Sequence, residues 1–263
     1  MHFTKMHGLG NDYLYVYGEV PENIKELSQR LSDRHFGAGA DGMIYISPSE
    51  TADFKMRIFN ADGSEGMMCG NGIRCVGKYV YDKGLTDKTT LKVDTLSGIK
   101  TIQLIIEAGK VTGAAVDMGF AGTGEDKTVQ TEDGNVTGVP VSVGNPHYVV
   151  FIEDMENVPL YTLGPVLEKH PAFPGGVNVE FVQVLSDNRL RMRVWERGSG
   201  VTMACGTGAC ASAAAAVRKG CCRADSPVFV ELDGGTLEIL IGKDLSVLMT
   251  GPAETVYEGE TCE

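Results

Sequence analysis

Two stretches of the chain repeat one another at an offset of 136 residues, and this duplication constrains the fold more than any other feature. Residues 55–75, KMRIFNADGSEGMMCGNGIRC, align with residues 191–211, RMRVWERGSGVTMACGTGACA. Met56 falls on Met192, Arg57 on Arg193, Met67 on Met203, Cys69 on Cys205, Gly70 on Gly206 and Gly72 on Gly208. The correspondence runs on to Lys83-Gly84 and Lys219-Gly220. Two similar lobes follow, each presenting one cysteine at a glycine-flanked turn. A chain of 263 residues is long enough for two domains of ordinary size.

The coarse pattern of elements repeats too. In the first half a strand is expected from Asp12 to Tyr17, after the Gly8–Asn11 turn. A helix from Glu22 to Arg34 follows Pro21, with Ile24, Leu27 and Leu31 on one face. Phe54, Met56 and Ile58 alternate as in a strand, a helix is expected from Asn71 to Lys83 with Gly84 as its stop, and Thr101–Glu107 reads as a further strand. In the second half the expected elements are a strand at Tyr148–Ile152, a helix at Thr162–His170 ended by Pro171, and a strand at Arg191–Trp195. A helix at Thr207–Lys219 and strands at Val228–Leu232, Leu237–Ile241 and Val247–Met249 complete it. The helix GACASAAAAVRKG carries almost only small side chains, as expected of a helix enclosed on every side by close strands. The fold class is therefore α+β: two pseudo-symmetric lobes, each a strand layer or barrel wrapped around a central helix. The polar, glycine-containing segment Gly122–Val139 sets the junction just before it, giving lobes 1–117 and 118–250, with residues 251–263 returning to the first.

Charge narrows the functional classes. A net charge of -12 argues against nucleic acid, whose phosphates require clustered Lys and Arg, and is read as a solubility feature. No apolar run approaches a membrane span, and Met1–Gly10 shows no secretory signal. Seven cysteines, an odd number in a chain too large to need stapling, point to reduced thiols in the cytoplasm.

The repeated turns carry the chemistry. Cys69-Gly70-Asn71-Gly72 and Cys205-Gly206-Thr207-Gly208 each put a thiol at a helix N-terminus, where unpaired N–H groups and the helix dipole favour a thiolate. The same N–H groups suit a carboxylate, and glycine allows close backbone approach. If the lobes face each other, one thiolate removes a proton from a stereocentre while the other thiol returns one to the opposite face. Amide dipoles stabilise the carbanion, and neither a redox carrier nor a pyridoxal group is required. Cys75, Cys210, Cys221, Cys222 and Cys262 read as core or surface thiols. No Cys-x-x-Cys pair exists, so no metal is expected. Gly37–Gly42 matches a dinucleotide fingerprint formally but follows a helix, and reads as a turn. His2, His7, His35 and His170 read as structural or surface residues, whereas His147 beside the Gly144-Asn145 turn has a better claim to chemistry.

With these residues in place, the chain resembles the diaminopimelate epimerase family over its whole length. The resemblance rests on KMHGLGNDY (5–13), FNADGSE (59–65), MCGNGIRC (68–75), GNPH (144–147), GVNV (176–179), ERGSG (196–200) and ACGTGAC (204–210). It implies a cofactor-independent interconversion of LL- and meso-2,6-diaminopimelate on the route to lysine and peptidoglycan, by a homodimer acting on a small-molecule amino acid. Carried over by motif, Cys69 and Cys205 resemble the acid/base pair, and Asn11, Asn60, Asn145 and Asn178 the substrate-binding asparagines. Glu196 and Arg197 resemble the pair at the distal end of the substrate, and Gly70, Asn71, Gly206 and Thr207 the cradle for the reacting carboxylate. His147 and Glu196 match positions that modulate the cysteine pKa values. Amides that donate and accept, an arginine for a carboxylate and a carboxylate for an ammonium suit a substrate with two amino-acid ends.

Three positions depart from the family pattern: Gly42 where some relatives place Gln, Val201 where an acidic residue is frequent, and Tyr148 where a smaller or polar residue is common. The alternative reading is a cofactor-independent racemase of the proline racemase type, whose first cysteine motif usually has His where this chain has Asn71. A phenazine-type isomerase lacks the cysteine pair. A redox sensor joining Cys69 to Cys205 is the reading from a different class.

Overall fold

The computed structural model describes residues 1–261. The chain runs β1 (His2–Gly8), β2 (Asn11–Tyr17), α1 (Ile24–Ser32), β3 (Gly42–Ser47), β4 (Phe54–Asn60), β5 (Glu65–Gly66), α2 (Gly70–Asp82), β6 (Thr90–Thr95), β7 (Gly98–Glu107) and β8 (Lys110–Phe120). It continues with β9 (Gly122–Thr123), β10 (Lys127–Thr131), β11 (Gly134–Ser142), β12 (Pro146–Phe151), α3 (Leu160–Glu168), β13 (Asn178–Ser186), β14 (Arg189–Glu196) and β15 (Gly200–Val201). The last elements are α4 (Gly206–Arg218), β16 (Pro227–Leu232), β17 (Gly235–Ile241), β18 (Ser246–Pro252) and β19 (Glu254–Glu260). Two compact units result: residues 1–117 with residues 250–261, and Met118–Met249. No helix among the described residues is long and apolar enough to cross a membrane.

In the first unit β1 pairs antiparallel with β2, β2 parallel with β3, β3 antiparallel with β4, β4 parallel with β6 and β6 antiparallel with β7. β19 adds antiparallel to the free side of β1. The second unit repeats the same alternation through β11, β12, β13, β14, β16 and β17. Register makes the match residue by residue. Ile44 pairs Ile58 and Glu180 pairs Val194, so β3 corresponds to β13 and β4 to β14 at the offset of the cysteine repeat. Leu14 pairs Met43 and Tyr148 pairs Val179, so β2 corresponds to β12 with Leu14 on Tyr148, Tyr13 on His147 and Asn11 on Asn145.

Each central sheet is covered on both faces. One face meets the central helix, α2 or α4, and the other meets the outer helix, α1 or α3. The outer contact in the first unit joins Leu31 of α1 to Leu14, Val16, Met43, Tyr45 and Phe59. In the second unit Leu160 and Leu167 of α3 pack on Tyr148, Val150, Val179 and Phe181. The central helices differ in bulk. Ile73, Val76 and Val80 fill the space around α2, whereas the facing positions of α4 are Ala209, Ser212 and Ala216, all fully buried. The expectation of an enclosed small-residue helix is met by α4, whose residues from Gly208 to Ala216 are all buried.

The structure differs from the sequence reading at several elements. α1 covers Ile24–Ser32 rather than Glu22–Arg34, because Asp33 leaves the helical region at ψ 124° and its carboxylate accepts from the backbone N–H groups of His35 and Phe36. α3 begins at Leu160 and contains Pro165, with Leu163 N–H donating to the Pro159 carbonyl to close the first turn. It ends at Glu168 instead of His170. β3 and β13 were not expected as strands at all. Both lie between two helical layers and are buried on both faces, as MIYI and as VEFV, which is apolar apart from Glu180, without the alternation that marks a half-exposed strand.

Candidate active site

Each repeated cysteine is the N-cap of its central helix. Cys69 (φ -131°, ψ 117°) and Cys205 (φ -112°, ψ 108°) are extended, and each sulfur accepts a hydrogen bond from the third following amide, Gly72 N or Gly208 N, at 3.3 Å. An N-cap normally uses an oxygen for this purpose; here sulfur takes the position, so part of the unpaired N–H charge of the helix falls on the thiol. Glycine at the donor position lets the helix start lie close against the strand beside it. A β-carbon on Gly72 would stand 2.6 Å from Ile44 Cδ1, and one on Gly208 would stand 2.8 Å from Glu180 Oε1.

In the first unit the Cys69 thiol donates to Asn11 Oδ1 at 3.2 Å, and Asn11 Nδ2 donates to Asp41 Oδ2 at 2.8 Å. Asp41 is held in turn by Arg34, which also bridges to Asp12 at 2.8 Å. Asp12 is partly buried, but Arg34 and Lys5 outweigh that burial and hold its carboxyl below the usual range. Tyr13 is buried next to Cys69, and burial followed by the charges of Cys69 and Asp41 pushes its hydroxyl well above the usual pKa. Asn71 is buried in the first helical turn, where its Oδ1 accepts from Arg74 at 2.9 Å. Asn60, half-buried at the end of β4, donates to Ser64 Oγ at 3.0 Å.

The second unit surrounds its thiol differently. Cys205 is buried, with Thr207 Oγ1 at 3.6 Å. Asn145 Nδ2 donates to Thr207 Oγ1 at 3.3 Å, His147 Nε2 lies 3.0 Å from Asn145 Oδ1, and His147 Nδ1 lies 2.7 Å from Glu180 Oε1. Glu196 is nearly enclosed and accepts from the Thr202 hydroxyl; burial raises its pKa, and the neighbouring Glu180 charge adds to the rise. Burial, then the Glu196 and Glu180 charges, push the Cys205 thiol well above its usual pKa, against hydrogen bonds from Thr207 and Gly208.

The structure thus gathers Asn11, Gly70 and Asn71 around the Cys69 helix start, and Asn145, His147, Glu196, Gly206 and Thr207 around the Cys205 helix start, while Asn60 sits at the end of β4 beside Ser64. Asn178 accepts from Arg197 N at 3.0 Å and donates to the Pro146 carbonyl at 2.9 Å, which ties the loop after β14 to the start of β12. Arg197 reaches the Gly175 carbonyl, away from its neighbour Glu196. Sequence reasoning missed Glu180, Tyr13, Asp41 and Thr202. The signal for Glu180 was present: it lies two residues after Asn178, hence on the same strand face, and is a charge inside an apolar run.

The structure places all three departures. Tyr148 lies on the sheet face toward α3, donates to the Lys127 and Val136 carbonyls and packs on Phe173, so its size serves the outer layer. Val201 pairs Trp195 in the β14–β15 hairpin. Gly42 pairs Asn60, and a β-carbon there would stand 2.2 Å from the Phe59 carbonyl. Of the remaining thiols, Cys75 is fully buried, which raises its pKa to about 11, and Cys210 and Cys222 are buried; Cys262 lies outside the described residues.

The model of the family described as diaminopimelate epimerase matches residues 3–123 and 139–256. A diaminopimelate epimerase of Methanococcus maripaludis is 50% identical, with 99% of each chain covered. One of Phocaeicola vulgatus is 51% identical over 98% of this chain and 97% of its own. Among solved structures, a phenazine biosynthesis protein of the PhzF family from Bacillus anthracis aligns with a TM-score of 0.79 at 17% identity, covering 100% of this chain and 99% of its own. A probable proline racemase from Agrobacterium radiobacter aligns with a TM-score of 0.77 at 18% identity, covering 99% and 92%. These two establish a shared fold, whereas the family match and the high-identity relatives establish more: the chain belongs to the diaminopimelate epimerase family.

Proposed function

We propose that this chain interconverts LL- and meso-2,6-diaminopimelate by a two-base proton transfer in which Cys69 and Cys205 exchange roles. The observation that carries the reading is the duplicated sulfur N-cap, each thiol held by one backbone N–H at 3.3 Å at the start of a buried helix. One sulfur, as thiolate, takes the proton from the α-carbon; the other, as thiol, supplies a proton to the opposite face. The inverted product leaves with its former proton on the first sulfur and the second sulfur deprotonated. The amides at 70–72 and 206–208 bind the carboxylate next to the reacting carbon and stabilise the charge that develops there. Asn11, Asn60, Asn145, Asn178, Glu196 and Arg197 supply the donors and acceptors that fix the two ends of the substrate. His147 and Glu196 set the charge around Cys205. This assignment of roles follows the family motifs, and the local geometry of each unit supports it.

The test is incubation of the reduced protein with LL-diaminopimelate in deuterated water. One deuterium is expected at a single α-carbon of meso product. Inversion of proline with diaminopimelate untouched would transfer the chain to the proline racemase type, and inertness toward both would remove the epimerase reading. A homodimer and a cytoplasmic site of action belong to the same proposal; the first rests on the family resemblance and is checked by sedimentation, the second on the odd number of thiols.

A further inference from the structure

Glu180 is fully buried in β13 and no sequence motif singled it out. Its Oε1 meets His147 Nδ1 at 2.7 Å, with both side chains 0% exposed, while its Oε2 is buried without a hydrogen-bond partner. A buried carboxylate oxygen left unpaired is costly, and a core strand has no structural need of one. The matching position of the first unit shows the alternative. Ile44 occupies it, packed toward Gly72 as Glu180 is packed toward Gly208.

From Glu180 a continuous set of hydrogen bonds leads to the thiol. The carboxylate is an acceptor, so His147 Nδ1 donates to it. Asn145 Nδ2 is engaged with Thr207, so Asn145 presents Oδ1 to His147 Nε2, and Nε2 donates as well. Each ring nitrogen thus faces an oxygen, a carboxylate on one side and an amide oxygen on the other. Thr207 accepts from Asn145 and thereby turns its own hydroxyl hydrogen toward Cys205 Sγ. The charged and titratable groups facing the ring come from three elements: Glu180 on β13, Glu196 on β14 and Cys205 at the start of α4.

We propose that Glu180 is a positioning residue of the Cys205 half-site: by holding the doubly protonated His147 ring, it orders Asn145 and Thr207 so that a hydroxyl donor is aimed at the sulfur. The kinetic part of this inference rests on the proposed epimerase reading; the part concerning the ring does not.

The test is therefore in two arms. The first records the ring nitrogens of His147 by nitrogen-15 correlation spectroscopy on the wild-type protein near neutral pH, with His147→Gln to assign them. Two protonated nitrogens are expected, and a ring nitrogen without a proton overturns the proposal. The second arm compares Glu180→Gln, which keeps the shape and removes the charge, with Glu180→Asp, which keeps the charge. Glu180→Gln is expected to lower kcat roughly 10- to 100-fold with KM within about twofold, and to shift the pH–rate profile, while Glu180→Asp recovers part of the rate. Wild-type kcat and an unmoved profile in a folded Glu180→Gln protein overturn it. If that variant does not fold, the wild-type ring spectrum decides alone. A wild-type protein inert toward diaminopimelate with the expected ring spectrum would refute the epimerase reading while leaving the arrangement of the ring intact.

Discussion

The two repeated half-sites share a backbone and differ in charge. In both, the cysteine is an extended N-cap, the third amide binds sulfur at the same distance, and an asparagine follows a glycine of positive φ, 83° at Gly10 and 85° at Gly144. Around Cys69 the matched positions are Tyr13, Ile44 and Asn60; around Cys205 they are His147, Glu180 and Glu196. At these three positions the first turn carries no carboxylate or imidazole, with Asp41 hydrogen-bonded to Asn11, and the second carries a histidine and two glutamates. What has to be duplicated for a two-base reaction is the helix start that carries the sulfur. The neighbours have diverged, and for Cys205 burial, followed by the Glu196 and Glu180 charges, favours the neutral thiol.

The largest expected effect tests the shared part. Cys69→Ser and Cys205→Ser should each lower kcat by roughly 10²- to 10⁴-fold with unchanged circular dichroism, because the proposed two-base transfer uses each sulfur in every turnover. An asymmetric result, with one variant near wild type, would show that the repeated turns are not equivalent in chemistry.

The next effect tests the part that diverged. Glu196 is the first charge that raises Cys205, so Glu196→Gln should move the ionisation of Cys205 to lower pH, measured by ultraviolet thiolate absorbance. The sign follows from the charge: removing a nearby carboxylate relieves repulsion of the thiolate. Asn60→Gln, at the matching place in the first unit, introduces no charge and should leave the Cys205 ionisation where it is. Equal shifts in the two variants would dissolve the contrast between the half-sites.

How much of this was legible in the sequence depended on which physical signal each residue carried. The helices α2 and α4 announced themselves by the repeat, by glycine after the last turn and, in α4, by a run of alanines that only an enclosed helix tolerates. Cys69 and Cys205 were legible because position at a helix start is a local property. Strands β3 and β13 were not, since burial on both faces removes the alternation by which a strand is recognised. Glu180 was lost with β13: its significance lies in the pairing that puts it behind His147, a contact between residues 33 apart. Tyr148 likewise read as a departure near the chemistry, although the pleat turns it to the opposite sheet face, toward Phe173.

The packing contrast between the central helices yields a smaller effect. Ala213 in α4 is fully buried, and Ala213→Leu should destabilise the fold by about 1–3 kcal/mol in a denaturant titration, as the close strands have no room to yield. Its counterpart in α2 is Gly77, where a new β-carbon would stand 2.7 Å from Leu104 Cδ2, the end of a flexible side chain. Gly77→Ala should therefore be close to neutral, the contact offset by the gain of roughly 1 kcal/mol in helix propensity. A costly Gly77→Ala would mean that the first helix is as tightly enclosed as the second.

The smallest effect concerns Cys75, which matches Ala211 in the repeat and so gives the first helix a buried thiol that the second lacks at that position. Burial raises the Cys75 pKa to about 11 from an ordinary value of 9.0. The unfolded chain therefore gives up this proton at lower pH than the folded one, and stability is lost as pH rises from about 9 through about 11. The contribution reaches on the order of 2 kcal/mol at the upper end of that window. Cys75→Ala lowers stability at neutral pH through lost packing, but it should also flatten the decline in unfolding free energy across the alkaline range. The slope, rather than the neutral value, is the quantity to compare. An unchanged slope would assign the alkaline loss to other groups, with Cys222, also raised to about 11, the first to examine.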